Sequence, residues 1–249
     1  MHRRYMIVTT VMALLVSGLP LAAQSPTHRE PRSSRDHQQA FKEFERGGIP
    51  AAAAVAGTYR TTESFGGIDI AENLTGLAWA SHIVVIGRVQ SEKSVLSGDQ
   101  RHINTEMQLR IERLFKGADV LSAGREIVVS VPGGRVVFPN GTSAEALLTT
   151  GPMPMKTGGR YLLFLELIED AELAAEAGRL GTFRPTGGRQ GVHELAGSPP
   201  NRVVPYVKEL PVSQELLAAR NIDEALSRVH TAALSAPSFA GEKKLEPKQ

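Results

Sequence analysis

Between Arg101 and Gly117 the sequence RHINTEMQLRIERLFKG alternates: Ile103, Thr105, Met107, Leu109 and Ile111 share one parity, and Asn104, Glu106, Gln108, Arg110 and Glu112 share the other. Side chains along a strand point to opposite faces in turn, so this predicts a long strand with one apolar and one polar face. Four more extended segments accompany it. HIVVIGRVQSEKSV (82–95) precedes it across the turn residues SGDQ, and Gly87 within it marks a bulge or a close backbone approach. REIVVSVPGG (125–134) follows, with Ile127, Val129 and Val131 on one face. RYLLFLEL (160–167) is apolar on both parities, which predicts cover on both faces. A fifth strand, fragmented by glycine, falls within 181–195, and the stretch 135–159 reads as a long irregular loop.

The period changes at both ends. Asp69 and Glu72 have capping-box spacing ahead of Leu74, Leu77 and Ala78, which predicts a short helix over 70–80. Asn221 and Glu224 repeat that spacing before Ile222, Ala225, Leu226, Val229 and Ala233, which predicts a helix of about three turns packed back on the sheet. Residues 24–37 are polar and unpatterned. QQAFKEFERGG (38–48) fits a short helix with Phe41 and Phe44 on one side, and AAAAVAG (51–57) fits helix or loose chain equally. The chain then divides into a leader (1–23), a flexible segment with a short helix (24–68), a β domain (69–210), a helical segment (211–235) and a loose tail (236–249). Five strands with uneven connections suit a mainly β fold, a five-stranded OB-like antiparallel barrel with flanking helices. The Ile103–Ile111 parity would line its interior, and curling would remove the free edges of so long a strand.

Composition alters this picture in three ways. His2, Arg3 and Arg4 precede an apolar run from Met6 to Val16, and LPLAAQ offers small residues for cleavage near Ala22 or Ala23. That is the layout of a signal peptide, and the run is short against the ~20 residues a membrane span requires. The expectation is an exported protein, periplasmic or extracellular, with no stable membrane span after cleavage. The leader also carries the charge excess. The whole chain has 28 Lys+Arg and 26 Asp+Glu, and removing Arg3 and Arg4 with an acid-free leader leaves 26 of each. A balanced chain, with no aromatic on the polar face of its long strand, is a poor nucleic-acid binder. Finally, the chain has no cysteine, which excludes disulfides, thiol nucleophiles and thiolate metal sites.

WASHIVVIGRV, INTEMQLRIERLFKG and GRYLLFLE, spread over about residues 77–195, resemble a pattern in uncharacterised secreted bacterial proteins. They are also similar to the netrin-like module of tissue inhibitors of metalloproteinases. The resemblance implies a five-stranded OB-type barrel with flanking helices. Those inhibitors reach a catalytic zinc through an N-terminal cysteine and use disulfides, and this chain has neither, so neither the mechanism nor any functional residue carries over.

Candidate chemistry is sparse. Gly-Gly-Arg occurs at Gly133-Gly134-Arg135, Gly158-Gly159-Arg160 and Gly187-Gly188-Arg189, each beside an expected strand. Paired glycines let backbone N–H groups converge on an anion, and a neighbouring arginine can grip it as a fork. Gly134, Arg135, Gly159, Arg160, Gly188 and Arg189 are therefore the candidate ligand-binding residues, for a small anionic ligand. Turn chemistry alone also explains the three pairs. Met153 and Met155 suit Cu(I) by softness but are two thioethers without a nearby histidine or cysteine, so packing explains them better. His82, His102 and His193 have no metal-site spacing, and His193 and Glu194 point to opposite faces of a strand. Ser143 lacks a nucleophile-elbow context, and Glu166, Glu169 and Asp170 cluster at one strand end instead of facing each other across a cleft. No phosphate loop or dinucleotide fingerprint is present, so no cofactor and no metal is implied.

These observations favour an exported, non-catalytic binding or interaction module, its partner an unidentified protein or a small anion, with the loops 132–159 and 184–200 as the expected binding region. The alternative is a hydrolase or metal-dependent enzyme of the cell envelope, its site assembled from loops.

Overall fold

The computed structural model describes residues 34–63, 70–121, 125–149, 155–169 and 181–237. The expected leader, Asp69, Met153, Asp170 and the tail beyond 237 lie outside the described residues. In chain order the described elements are α1 (Ser34–Ala56), β1 (Thr58–Glu63), α2 (Leu74–Ala80), β2 (Ile83–Leu96), β3 (Ile103–Lys116), β4 (Glu126–Pro132), β5 (Gly134–Val137), β6 (Ser143–Leu148), β7 (Arg160–Leu167), β8 (Phe183–Pro185), a 3-10 turn (Gly188–Gly191), β9 (Val192–Gly197), β10 (Pro200–Pro205), α3 (Pro211–Leu217) and α4 (Ile222–Ser235). The fold is mainly β, as the alternation predicts, but the ten strands among the described residues form two sheets instead of one.

The larger sheet runs β10-β9-β7-β2-β3-β4-β8. Its centre is the antiparallel β2–β3 hairpin, with β7 beside β2 and β4 beside β3. β7 has β2 along one edge. Its other edge is shared: Tyr161, Leu162 and Leu163 face β9, and Leu165, Glu166 and Leu167 face β8. β8 in turn meets β4 through one parallel pair, Val129 with Phe183.

Two cores follow from the pleat. Ile83, Val85, Met107, Leu109, Ile127, Val129, Val131, Leu163 and Leu165 turn to one face, and all are buried. Val84, Ile86, Leu162 and Phe164 turn to the other, where Leu74 and Leu77 of α2, Val212 and Leu216 of α3, and Ala225 and Val229 of α4 cover them. β7 is thus covered on both faces, as its double apolar parity requires.

The alternation of β3 stops where the ladder bulges. Gly87 pairs with Ile111 and Ile86 with Arg113, which leaves Glu112 as an extra residue; Val85 pairs with Leu114 and Val84 with Lys116, which leaves Phe115. An extra residue reverses the faces that follow it. Phe115 therefore leaves the Met107–Ile111 face and packs under α4, its ring 6.2 Å from that of His230. The adjacent apolar pair Leu114-Phe115 was the trace of this in the sequence. Gly87 lies at the first bulge, as expected of it.

The helix ends are satisfied by side chains. Asn73 caps α2, its Oδ1 accepting from the Gly76 N–H at 2.7 Å, so the helix starts four residues later than the Asp69/Glu72 spacing predicts. The last carbonyls of α2 are met by Lys116, whose Nζ donates to Ala78 O at 2.9 Å and to Ser81 O at 2.8 Å. Asn221 caps α4 as predicted, accepting from the Glu224 N–H at 2.9 Å, and the helix runs 14 residues, about a turn more than expected.

The N-terminal region departs from expectation. Residues within 24–68 were expected to be flexible apart from a short helix, yet 34–56 are helical and 58–63 form a strand. Likewise 135–159 is not one irregular loop: β5 and β6 lie in it, and with β1 they make the smaller sheet, β1-β6-β5. The reason is a third core. Ile49, Ala53, Ile103, Ala144 and Ala146 are buried together, with Phe44, Tyr59 and Val136 around them. None of these segments buries an apolar face alone, so the signal is spread over segments distant in sequence. The two halves of α1 are separated at Gly47-Gly48, and the turn of the β2–β3 hairpin enters the break: Ile49 N–H donates to Gln100 O at 2.8 Å, and Arg101 Nη2 donates to Glu45 O at 3.1 Å. Gly48 has φ 69°, and a Cβ there would lie 2.5 Å from the Gln100 carbonyl oxygen, so only glycine fits.

Candidate functional site

The three Gly-Gly-Arg turns stand in separate surroundings. Gly134 lies against the Ser94 and Thr105 hydroxyls on the outer half of the hairpin, Arg135 is exposed, and the Arg135 N–H donates to Ser94 Oγ at 3.2 Å. Gly159 packs on the Tyr161 ring, and its carbonyl accepts from the Val89 N–H at 3.0 Å. Gly188 and Arg189 form the buried 3-10 turn before β9, and the Arg189 guanidinium lies 4.5 Å from the centre of the Tyr206 ring. Burial pushes the Arg189 guanidinium pKa down. The described contacts of the three turns share no residue, so the glycines serve three different local geometries.

Arg160 belongs to a charged group that the sequence did not reveal. It sits directly across from Arg88 on the neighbouring strand. Like charges so placed repel. Between them stands Glu112, the bulge residue. Arg160 Nε donates to Glu112 Oε2 at 2.6 Å, Arg88 Nε donates to Oε1 at 3.1 Å, and Arg88 Nη1 donates to Gly158 O at 3.1 Å. Partial burial raises the Glu112 pKa, but the hydrogen bonds and charges of Arg160 and Arg88 outweigh it and hold the carboxyl below the ordinary range. The bulge aims the one acid at both arginines, so it offsets their mutual repulsion and leaves the group with one net positive charge. A similar pair on the same sheet joins Arg184 Nε to Glu166 at 2.6 Å.

The three strand histidines also have different environments. His82 Nδ1 accepts from the Leu167 N–H at 2.7 Å, which ties the start of β2 to the end of β7. His102 Nδ1 lies 3.1 Å from Glu63 Oε2 at the hairpin turn. His193 is fully buried. It lies beside Leu162 on β7 and Pro205 on β10, with its ring edge toward Phe164 at 6.0 Å between centres. Neither of its ring nitrogens meets a side-chain hydrogen-bond partner. Burial pushes its pKa from 6.5 down to about 4, and the contact with the Gln190 backbone opposes this. The imidazole is therefore neutral at pH 7. Among the described residues no group of three or more His, Asp or Glu side chains is placed to hold a metal ion. Met155 is buried in the aliphatic core, and Ser143 is buried in β6 beside the Thr58 hydroxyl at 3.3 Å.

Open surface is found elsewhere. A groove of about 440 Å3 runs between the first half of α1 and β1, lined by His37, Gln38, Phe41, Lys42, Tyr59 and Arg60. Phe41 is 56% exposed in its wall. A second groove, of about 640 Å3, lies beside α2 and is lined by Asn73, Thr75, Gly76, Trp79, Ala80 and His82. Sequence reasoning missed the first because it left β1 out. TYRTTE, rich in β-branched and aromatic residues after Gly57, was the available signal. Compared with known proteins, the chain matches no family model and no curated sequence.

Proposed function

We propose that the chain is an exported, non-catalytic binding or interaction module built on an OB-like barrel. The path of pairings supports the barrel reading: β7-β2-β3-β4-β8 returns to β7, and one face of that path carries the Met107–Leu109 core. It is also the architecture that the netrin-like resemblance implies. The leader composition supports export, and the mature chain would act in the periplasm or outside the cell. Among the described residues no helix is long and apolar enough to cross a membrane.

The observation that carries the binding reading is how the polar groups are engaged. Glu112 bridges Arg88 and Arg160, Glu166 holds Arg184, and Glu63 lies against His102. His193 is sealed from solvent. Open grooves and exposed side chains remain, Phe41 and Trp79 among them, and such surfaces can hold a partner. The test uses the leaderless chain against ester, glycoside, phosphate and peptide substrates, with and without divalent metal, alongside photo-crosslinkers on the exposed face of each sheet in the exporting cell. Crosslinks to a discrete partner without turnover support the proposal. Turnover that a single polar substitution abolishes overturns it.

A further inference from the structure

Resting on that reading, we infer that the groove beside α2 is a binding site for a neutral oligosaccharide, with the Trp79 ring as its stacking platform.

Trp79 is the one tryptophan of the chain. α2 buries Leu74, Leu77 and Ala78, and Trp79 stands outside that face, 54% exposed. Single exposed apolar residues are ordinary on a surface. Trp79 differs in that it is held and its neighbour is bare. Its indole N–H donates to Ser235 O at 3.4 Å, and its backbone carbonyl accepts from Lys116 Nζ at 3.5 Å. With the N–H edge turned to the end of α4, the wet part of the side chain is apolar ring.

The bare neighbour is Gly76. A helical side chain lies over the turn before it, so Trp79 leans toward Thr75 and Gly76, which line the same groove. Gly76 sits inside the helix, and a Cβ there would meet nothing closer than Asn73 Oδ1 at 3.5 Å. Neither backbone nor packing therefore calls for glycine, which weakens a helix relative to alanine. What the missing side chain does leave is open space beside the indole.

The lining selects the occupant. Asn73, Thr75 and His82 set a carboxamide, a hydroxyl and an imidazole around the ring. Asn73 Oδ1 and His82 Nδ1 each accept a backbone N–H at 2.7 Å, from Gly76 and Leu167, which fixes both side chains in advance. Among the described residues that line the groove there is no Lys, Arg, Asp or Glu, so a charged ligand finds no counter-charge. A peptide docking as a helix or a proline-rich segment asks for several apolar anchors; one ring and Ala80 supply all that is here. A sugar fits both halves of the lining: its C–H face packs on the aromatic ring, and its hydroxyls bond to the uncharged polar rim. The space of about 640 Å3 is within the roughly 300–1,000 Å3 of small-ligand sites.

The test reads the tryptophan emission of the leaderless chain, which reports this groove alone because Trp79 has no counterpart. The probes are maltotetraose, cellotetraose and triacetylchitotriose, with trigalacturonic acid as the charged control. At least one neutral probe should shift the emission to the blue and shield the ring from acrylamide, saturating below about 10 mM, and the charged control should be weaker by about tenfold or more. Gly76→Leu fills the groove and should weaken that probe by about tenfold or more at an equal or higher Tm. Trp79→Ala, followed by calorimetry, should abolish its binding. No saturation by any neutral probe at about 10 mM, or unchanged binding in either variant, overturns the site. So does a blue shift that follows protein concentration without sugar, which would make a second copy the occupant. If every probe fails while crosslinking finds a discrete partner, the binding-module reading survives and this inference fails. If a probe is bound and cleaved, the site stands and the non-catalytic reading fails.

Discussion

Acid should unfold this protein through His193, and the structure gives the size of the effect. The ring is fully buried among Leu162, Phe164 and Pro205, with no side-chain hydrogen-bond partner on either nitrogen. The nearest titratable neighbours in sequence are placed elsewhere: Glu194 is exposed on the opposite face of β9, and Arg189 lies over Tyr206. No charged group therefore compensates a proton on the ring. In the unfolded chain the imidazole titrates near 6.5 and in the fold near 4. Between those values the unfolded state binds the proton and the native state does not, so stability is complete above pH 6.5 and falls as the pH drops toward 4. At 1.36 kcal/mol per pKa unit, the gap is worth about 3 kcal/mol, a large part of a typical domain's stability. The assay is urea unfolding of the leaderless wild type and His193→Leu at intervals from pH 7.5 to 4. Leucine fills the site without a titrating group. At pH 7.5 the variant should lie within about 1 kcal/mol of the wild type, because leucine keeps the apolar packing and gives up only the contact with the Gln190 backbone. On acidification the wild type should lose about 3 kcal/mol more than the variant. Parallel curves for the two proteins would refute the reasoning, whatever the carboxylates contribute to both.

Other sites give sharp expectations. Gly48→Ala puts a Cβ against the Gln100 carbonyl at positive φ; it should cost about 2–3 kcal/mol by thermal unfolding. Phe115→Ala empties the space under α4 and should cost about 3–4 kcal/mol in urea. Lys116→Met keeps the side-chain stem but frees the carbonyls of Ala78 and Ser81; a loss of about 1 kcal/mol is expected, with α2 amides exchanging faster. Glu112→Gln leaves Arg88 facing Arg160; the cost should be about 1 kcal/mol or less at low salt, since the group is partly exposed, and it should shrink as salt screens the pair.

How legible the fold was depended on the range of the interactions. β3, β4, β7 and α4 were readable because each carries its own periodicity: Ile103 to Ile111, Ile127 to Val131, the two-sided run of Leu162 to Leu165, and the capped stripe from Asn221. The bulges at Glu112 and Phe115 were not, because alternation gives the faces but not the register of the partner strand. The smaller sheet was missed for a related reason. Gly134–Val137 and Ser143–Leu148 are short and flanked by turn residues, and they become strands only because β1, far earlier in the chain, lies beside them. The Gly-Gly-Arg turns were visible as motifs, but the local partners of each were not, since spacing along the chain says nothing of which strand ends meet. The neutralisation of Arg160 by Glu112 depends on the same bulge and was equally hidden. The full burial of His193 follows from its place across from Leu162 and Pro205, which no local pattern encodes.

The account's central claim is a sealed aliphatic β core within the larger sheet. Residue-resolved amide hydrogen exchange of the leaderless chain tests it most directly. Val85, Leu109 and Leu163 should exchange slowest, while along β1 the amides should alternate: Tyr59, Thr61 and Glu63 protected by β6, and Thr58, Arg60 and Thr62 exchanging fast. Uniform protection along β1 without a partner, or fast exchange at Leu109, would contradict it.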